Sequence, residues 1–245
     1  MDWNEWAIAR PRLGTLLTID HPVVMEVARL AGFDWLWVDA EHGGFTPSSA
    51  ALCCAINQGG PPVFVRIPDH SPTAIKQYLD SGCDGIILPQ VSTIEEVDAI
   101  TRAALYPPRG QRSIGLARAQ AYGARFTESI REESYAIFVQ IETVEGVQNA
   151  SAIAQHEGID GVIVGPYDLS GSFGIPGQVE APQVIEGIAS VLEATHTAGK
   201  PCGIFAANAD KARAYAQAGF NLIGVGIDSN TLLNAYTAMR QAIAD

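Results

Sequence analysis

Short apolar runs alternate with amphipathic stretches along the chain. The clearest run is Trp35 to Val38, which turns polar within four residues and ends at Gly43 and Gly44. Runs of this kind, rich in β-branched and aromatic residues and bounded by Gly or Pro, predict buried strands. Eight such strands are predicted, at Leu13 to Thr18, Trp35 to Val38, Pro62 to Ile67, Gly85 to Pro89, Tyr135 to Glu142, Gly161 to Gly165, Cys202 to Phe205 and Phe220 to Val225.

Helical patterns follow the strands. One covers Pro22 to Leu30, others begin at Pro47 and after the N-cap Ser71, and the last covers Leu232 to Ala244. Eight strand–helix units in 245 residues predict an α/β protein with one (β/α)8 TIM barrel domain over residues 1–245. A doubly wound open sheet is the alternative, but the turn after the first strand lacks the Gly-rich phosphate motif.

One connection is far longer than the others. Residues 103–134 separate the fourth and fifth predicted strands and contain Tyr106 to Gly110 and then Arg118, Arg125 and Arg131. Long connections in compact domains are often lids or interface segments. An ordinary surface excursion is the alternative interpretation.

Composition and charge exclude several classes of function. The net charge is −12, with no block of basic residues that could neutralise phosphates, so nucleic-acid binding is not expected. The first residues lack the pattern of a signal peptide, and no apolar run is long enough to span a membrane. The four cysteines form no CxxC pair and are interpreted as buried free thiols of a reducing, cytoplasmic compartment.

The candidate chemistry lies where the predicted strands end. In a (β/α)8 barrel the carboxyl ends of the strands share one mouth, which holds the active site. The polar residues at these ends are Asp39, Glu41, His42, Arg66, Gln140, Glu142 and Asp168. Since the strand bodies are apolar, these residues are the candidates for function.

Two of these carboxylates predict a metal site. Glu142 and Asp168 follow neighbouring strands, where they would repel each other unless a positive charge lies between them. A divalent cation such as Mg²⁺ or Mn²⁺ is the expected occupant, and an arginine bridging the pair is the alternative. Arg66 could stabilise a developing oxyanion or form a buried salt bridge. His42 could act as a base or could belong to a charged turn. Asp80 could orient His42, or it could be an acid at the end of a helix.

The lysines argue against an imine mechanism. Lys76 and Lys211 fall in predicted helices, and Lys200 precedes the seventh strand at the opposite end of the barrel. A Schiff-base aldolase needs a lysine at a strand end, so none of the three is suited to that role.

The strand-end motifs resemble those of the HpcH/HpaI aldolases, which are metal-dependent class II pyruvate aldolases. The matching stretches, in the family's order, are Asp39 to Gly43, Val65 to Pro68, Leu79 to Pro89, Tyr106 to Gly110, Gln140 to Thr143 and Gly165 to Ser170. The chain differs from the family pattern at Tyr167, a position that is often small in the family.

The resemblance implies a role for each matching residue. Glu142 and Asp168 would hold Mg²⁺, Mn²⁺ or Co²⁺, and Gln140 with the segment Tyr167 to Asp168 would contact the pyruvate part. Arg66 would stabilise the enolate, and His42 would be the base, assisted by Asp80. Asp39 would support the site from behind. The resemblance also implies a homohexamer, in which the C-terminal helix could be exchanged between subunits.

The predicted function is that of a metal-dependent aldehyde-lyase. It would reversibly cleave 4-hydroxy-2-oxo acids to pyruvate, or a close 2-oxo acid, and an aldehyde. Two alternatives are a CoA-thioester lyase of the citryl- or malyl-CoA type and a non-catalytic barrel that binds 2-oxo acids. The aldehyde is expected to bind the loop Thr18 to His21 after the first strand, the turn at Gly43 to Thr46, and Tyr167. These groups are small or polar and lack basic clusters, so an unphosphorylated, hydroxylated or short polar aldehyde is expected, with broad tolerance.

Overall fold

A closed barrel of eight parallel strands, in sequential order, forms the centre of the molecule. The computed structural model describes residues 2–244. The strands are β1 (Arg12–Leu17), β2 (Trp35–Asp39), β3 (Val63–Arg66), β4 (Gly85–Leu88), β5 (Ala136–Ile141), β6 (Gly161–Val164), β7 (Cys202–Ala206) and β8 (Leu222–Ile227). Because β8 pairs with β1, the sheet has no free edge. The predicted (β/α)8 fold is confirmed.

Helices surround the barrel, and most of them cover its outer face. They are α1 (Trp3–Ile8), α2 (Pro22–Leu30), α3 (Pro47–Ile56), α4 (Pro72–Asp80), α5 (Ile94–Ala104), α6 (Phe126–Glu132), α7 (Val144–Gln148), α8 (Ala150–Gln155), α9 (Pro166–Ser172), α10 (Pro182–Thr197), α11 (Ala209–Ala218) and α12 (Asp228–Ala244). The Ser71 hydroxyl accepts from the amide of Ala74 at 3.1 Å, as predicted for the N-cap of α4. The last helix begins at Asp228, four residues before its predicted start.

The barrel interior is filled by aromatic side chains, and α1 adds to them. Trp3 and Trp6 of α1 pack edge-on against Phe64, with ring centroids 5.4 and 6.2 Å apart. Trp35 lies over Gly14 of β1, where a Cβ atom would collide with the indole. Since helical periodicity is hard to recognise over six residues, α1 was not predicted from the sequence.

The long connection between β4 and β5 is anchored to the barrel wall. It contains a 3₁₀ segment at Arg118–Gly123 and then α6. Arg112 is buried, and its Nη2 donates to the carboxylate of Asp80 at 2.5 Å. The same guanidinium lies 4.7 Å from the ring of Tyr106 and 5.3 Å from that of Tyr135. These contacts anchor the first part of the insertion to the end of α4.

The cysteines are free and buried, as predicted. Burial raises the pKa of Cys53 to about 11, so the thiol is neutral at physiological pH. Within residues 2–244, no helix has the length and apolar character needed to cross a membrane.

Candidate active site

A cavity of about 160 Å³ opens at the carboxyl ends of the strands. It brings together residues from seven strands or the loops that follow them. The lining residues are Leu16, Trp37, His42, Arg66, Gln140, Val164, Gly165, Pro166, Tyr167, Asp168, Phe205 and Ile227. Five of the predicted site residues, His42, Arg66, Gln140, Tyr167 and Asp168, therefore share one cavity.

Asp39 and Arg66 form a buried pair at the base of this cavity. They are register partners on β2 and β3, so both side chains point to the same face. Arg66 donates from Nε and Nη2 to the two carboxylate oxygens of Asp39, at 3.0 and 2.7 Å. A two-pronged ion pair of this kind fixes the plane and position of the guanidinium. Burial lowers the pKa of Arg66, but the bonds to Asp39 outweigh this effect and raise it, so Arg66 stays charged.

The turn after β2 depends on the same carboxylate. Asp39 Oδ1 accepts from the amides of Glu41 and His42 at 3.1 and 3.2 Å. Gly43 closes the turn, because a Cβ atom there would collide with the carbonyl oxygen of Asp39. The turn leaves the imidazole of His42 66% exposed at the rim, with its Nε2 3.7 Å from Glu41 Oε2. His42 can therefore reach a molecule that enters the cavity.

Glu142 is buried next to the cavity, and its two oxygens already have donors. Oε1 accepts from the amide of Gln90 at 2.7 Å, and Oε2 accepts from Nε2 of Gln140. Gly165 lies so close that a side chain there would collide with the Glu142 carboxylate. The other polar atom of Gln140, Oε1, is buried without a hydrogen-bond partner. These contacts hold Glu142 in one place and leave Gln140 able to accept a further bond.

Negative charge is concentrated at the mouth of the barrel. Burial, with a contribution from the nearby charge of Asp168, raises the pKa of Glu142 to about 7. Burial also raises the pKa of Glu41, although Arg66 opposes this effect. Four carboxylates, those of Asp39, Glu41, Glu142 and Asp168, are thus gathered around one guanidinium. A bound cation would relieve this excess of negative charge.

The residues present fit a hard divalent cation. Glu142 and Asp168 offer carboxylate oxygens, which Mg²⁺ and Mn²⁺ prefer as ligands. Within residues 2–244, no cluster of three or more His, Cys, Asp or Glu side chains is arranged to hold a metal ion. A site with two protein carboxylates therefore leaves coordination positions for water and substrate oxygens, as Mg²⁺ sites commonly do.

Asp80 does not lie where the predicted role requires. It ends α4, shortly before β4 begins, and so lies at the amino-terminal end of the barrel, whereas His42 lies at the carboxyl-terminal mouth. Its carboxylate pairs with Arg112. Within one chain Asp80 and His42 therefore lie at opposite ends of the barrel, and the assistance of His42 by Asp80 stays a prediction. The sequence left two interpretations of Asp80 open, a partner of His42 and an acid at a helix end, and the structure places it at the last residue of α4.

The structure also adds residues that the strand ends did not reveal. Gln90 follows β4 with φ +54°, a conformation that is costly for residues other than Gly, and this conformation aims its amide at Glu142. The apolar side chains of Leu16, Trp37, Phe205 and Ile227 line the cavity, although in the sequence each has the character of a core residue. Gly43 to Thr46 and the loop after β1, both expected to bind the aldehyde, do not line it.

Known proteins are similar to this chain over most of its length. The model of the HpcH/HpaI aldolase/citrate lyase family matches residues 12–235. A hydroxypyruvate/pyruvate aldolase of Chromohalobacter salexigens is 40% identical over 86% of this chain and 84% of its own length. A 4-hydroxy-2-oxovalerate aldolase of Rhodococcus jostii is 36% identical over 97% of this chain and 93% of its own.

The solved structures agree with the sequence relatives. A crystal structure of a HpcH/HpaI aldolase/citrate lyase family protein from Burkholderia cenocepacia superposes with a TM-score of 0.92 at 31% identity. The superposition covers 96% of this chain and 95% of the other. Together these relatives confirm that the chain is an enzyme of the lyase class. The chain belongs to the HpcH/HpaI aldolase/citrate lyase family.

Proposed function

We propose that the enzyme is a divalent-metal-dependent aldolase that reversibly cleaves 4-hydroxy-2-oxo acids to pyruvate, or a close 2-oxo acid, and an unphosphorylated aldehyde. The observation that carries this proposal is the geometry at the mouth, where the buried carboxylate of Glu142 is held by the amide of Gln90 and by Nε2 of Gln140, close to Asp168. Burial at this position raises the pKa of Glu142 to about 7. A carboxylate kept buried at such a cost, and fixed by two donors, is suited to binding a cation.

Glu142 and Asp168 are the proposed metal ligands, which would hold Mg²⁺, Mn²⁺ or Co²⁺. When bound, the cation supplies positive charge that favours binding of the substrate's carboxylate and 2-oxo oxygens and development of negative charge on the latter. Gln140 lines the cavity, and its buried Oε1 has no hydrogen-bond partner. We assign Gln140, together with the segment Tyr167 to Asp168, to binding of the pyruvate part of the substrate.

Arg66 is proposed to stabilise the enolate. Its guanidinium is held from behind by Asp39, so its position is fixed before substrate enters, and reorganisation during the reaction is small. In the cleavage direction the 4-hydroxyl loses its proton, the C3–C4 bond breaks, and its electron pair becomes that of the pyruvate enolate. The aldehyde then leaves, and C3 takes up a proton to give pyruvate.

His42 is proposed to accept the proton of the 4-hydroxyl group, directly or through water. Its exposed imidazole lies at the rim and lines the cavity, where it can reach a bound substrate. Glu41, rather than Asp80, is the carboxylate within reach of this imidazole in the same chain. We therefore expect Glu41, not Asp80 of the same chain, to influence the orientation of His42.

The test is a metal-replacement assay. Protein treated with a chelator is given a 4-hydroxy-2-oxo acid, and pyruvate release is followed with a coupled lactate dehydrogenase assay. We expect no release until Mg²⁺, Mn²⁺ or Co²⁺ is added. Full turnover in the continued presence of excess chelator would refute the proposed mechanism.

A CoA-thioester lyase receives less support. The phosphates of CoA need basic side chains at the rim, and the only basic groups lining the 160 Å³ cavity are Arg66, which Asp39 already binds, and His42. Direct comparison of pyruvate and an acyl-CoA as ligands by calorimetry separates the two activities.

We further propose a homohexamer in the cytoplasm. Helix α12 exposes large apolar side chains, among them Leu233, Tyr236 and Met239, which a soluble monomer would rarely leave in water. Exchange of α12 between subunits would cover them. Light scattering coupled to size-exclusion chromatography tests the assembly, and deletion of α12 tests its contribution.

A further inference from the structure

A second cavity adjoins the one described above. It has a volume of about 350 Å³ and is lined by Tyr167, Phe205, Ala207, Gly226, Ile227 and Asn230. Tyr167, Phe205 and Ile227 line both cavities, so the second is a continuation of the first toward the rim. We call this second cavity the outer chamber.

The outer chamber has apolar walls and no charged lining residue. Tyr167 and Phe205 pack against each other with ring centroids 6.1 Å apart, which makes a continuous aromatic wall. Tyr167 is 47% exposed, and exposure of so large a ring at a cavity is a cost unless a ligand covers it. Asn230 supplies the only side-chain amide among the lining residues.

A bulge in β8 places Ile227 in the wall of the outer chamber. β8 has one residue more than β1 between the pairs Gly14–Gly224 and Leu16–Ile227, which is a β-bulge at Val225 and Gly226. Gly226 has φ +67°, a conformation that side chains disfavour. By simple alternation Gly226 would face the barrel axis beside Leu16; because of the bulge, Ile227 faces it instead. An apolar side chain is thereby directed into the mouth where a glycine would have left a gap.

The carboxylate of Asp228 disfavours negatively charged ligands in the outer chamber. Asp228, the residue after Ile227, accepts hydrogen bonds from the amides of Thr18, Ile19 and Ser229 at 2.9, 3.0 and 2.7 Å. Its negative charge is thus fixed beside the outer chamber, and Asp168 lies on the other side in the first cavity. A second carboxylate or a phosphate in the outer chamber would meet this negative field without a basic partner.

We infer that the outer chamber is the subsite for the aldehyde's substituent, and that it selects uncharged aldehydes whose substituent is an alkyl or aryl group. The inference rests on the proposed function, because the carbonyl carbon of the aldehyde must meet C3 of the enolate in the first cavity. The substituent beyond that carbon then extends past Tyr167 and Phe205. Bond formation joins C3 of the enolate to the aldehyde carbon, and the aldehyde oxygen takes a proton.

The experiment compares four acceptors with pyruvate and Mn²⁺ in the carbon–carbon bond-forming direction. Acetaldehyde, butanal, glyceraldehyde and succinic semialdehyde are used, the last being butanal with its methyl group replaced by a carboxylate. A buried methylene is worth about a fourfold gain, so partial burial predicts a rise in kcat/KM of about two- to fourfold per methylene from acetaldehyde to butanal. We expect succinic semialdehyde to react at least about tenfold less efficiently than butanal.

Variants of Tyr167 test the wall itself. Tyr167→Phe keeps the ring and should keep the preference for butanal over acetaldehyde, whereas Tyr167→Ala should lower that ratio by about fivefold to tenfold. Leu30→Ala, which removes an exposed apolar side chain from the far end of α2, is the matched control and should change nothing. Circular dichroism of each variant checks folding. We expect all variants to fold, because the side chains of Tyr167 and Leu30 are both exposed.

The outcomes separate this inference from the proposed function. Exchange of the pyruvate methyl protons with solvent deuterium, measured on the unmodified enzyme with Mn²⁺ and no aldehyde, reports the proposed function alone. If exchange occurs but glyceraldehyde or succinic semialdehyde is the better acceptor, the assignment of the outer chamber is wrong while the proposed function stands. The assignment is also wrong if Tyr167→Ala and the unmodified enzyme show the same ratio of kcat/KM for butanal over acetaldehyde. If exchange fails, the proposed function itself is wrong.

Discussion

The mouth of the barrel is divided into two halves of opposite character. The charged half follows β2, β3, β5 and β6 and contains Asp39, Glu41, Arg66, Glu142 and Asp168. The apolar half follows β1, β7 and β8 and contains Leu16, Phe205 and Ile227. Tyr167 lies at the boundary. Under the proposed function, the charged half would create and stabilise a charge on the pyruvate part and the apolar half would bind the aldehyde part. Chemistry and selectivity would then be separated in space.

The two halves are built in different ways. In the charged half each side chain is held by specific bonds, such as those between Arg66 and Asp39 and between Glu142 and the amide of Gln90. In the apolar half the bulge at Gly226 and ring packing determine the shape. We therefore expect substitutions in the charged half to affect the reaction rate strongly, and those in the apolar half to change selectivity by small factors.

The largest effect is expected for Glu142→Gln. The substitution preserves size but removes the negative charge that would bind the cation, so turnover should fall by at least about 1000-fold. Loss of Mn²⁺ binding, seen directly by electron paramagnetic resonance, should accompany it. The control is Glu145→Gln, an exposed residue of α7, which should keep both properties. If Glu142→Gln bound Mn²⁺ as tightly as the unmodified enzyme, Glu142 would not be a metal ligand.

The same residue should make the metal-free protein sensitive to pH. The pKa of Glu142 is raised from 4.5 to about 7, so between these values the folded state binds more protons than the unfolded state. Stability must then fall as the pH rises through this window, by about 3 kcal/mol in total from this group. Urea unfolding in chelator at pH 5 and pH 8 should show this loss in the unmodified protein and a correspondingly smaller loss in Glu142→Gln. Equal pH dependence of the two proteins would contradict the raised pKa.

Replacement of Arg66 tests whether fixed geometry or charge alone is needed. Arg66→Lys keeps the positive charge but cannot donate two parallel bonds to Asp39, so kcat should fall by about 100-fold. Arg213→Lys, at an exposed pair on α11, is the control and should have no effect. Steady-state kinetics that show only a raised KM for Arg66→Lys would mean that Arg66 binds substrate without stabilising the enolate.

The smallest effect is expected in the apolar half. Ile227→Val removes one methylene group from a partly buried side chain, which should cost about 1 kcal/mol of stability or less. The efficiency with butanal should fall by about two- to fourfold. A loss as large as that of Arg66→Lys would show that the two halves are not separate in function.

The fold and the charged half could be predicted because their signals are local in the sequence. Apolar runs of four to six residues mark strands, and strand order makes Glu142 and Asp168 neighbours once a barrel is assumed. Asp39 also stands out, because a carboxylate directly after an apolar run is expected to be buried, and a buried carboxylate needs a partner.

The apolar half could not be predicted because its signals depend on pairing. The bulge at Gly226 exists only because β8 pairs with β1 across the closure of the barrel. Phe205 and Ile227 look like ordinary core residues in the sequence. His21, expected at the mouth, instead accepts from the amide of Val23 at 3.3 Å and caps α2. The position of Asp80 likewise depends on which end of the barrel α4 reaches, and not on its motif.

The central claim is that the charged half alone, with a divalent cation, produces the pyruvate enolate. The direct measurement is exchange of the pyruvate methyl protons with deuterium, followed by proton NMR on chelator-treated enzyme without any aldehyde. We predict no exchange above the buffer rate until Mg²⁺ or Mn²⁺ is added, and rapid exchange afterwards in the unmodified enzyme but not in Glu142→Gln. Equal exchange with and without the cation, or undiminished exchange in Glu142→Gln, would contradict this claim.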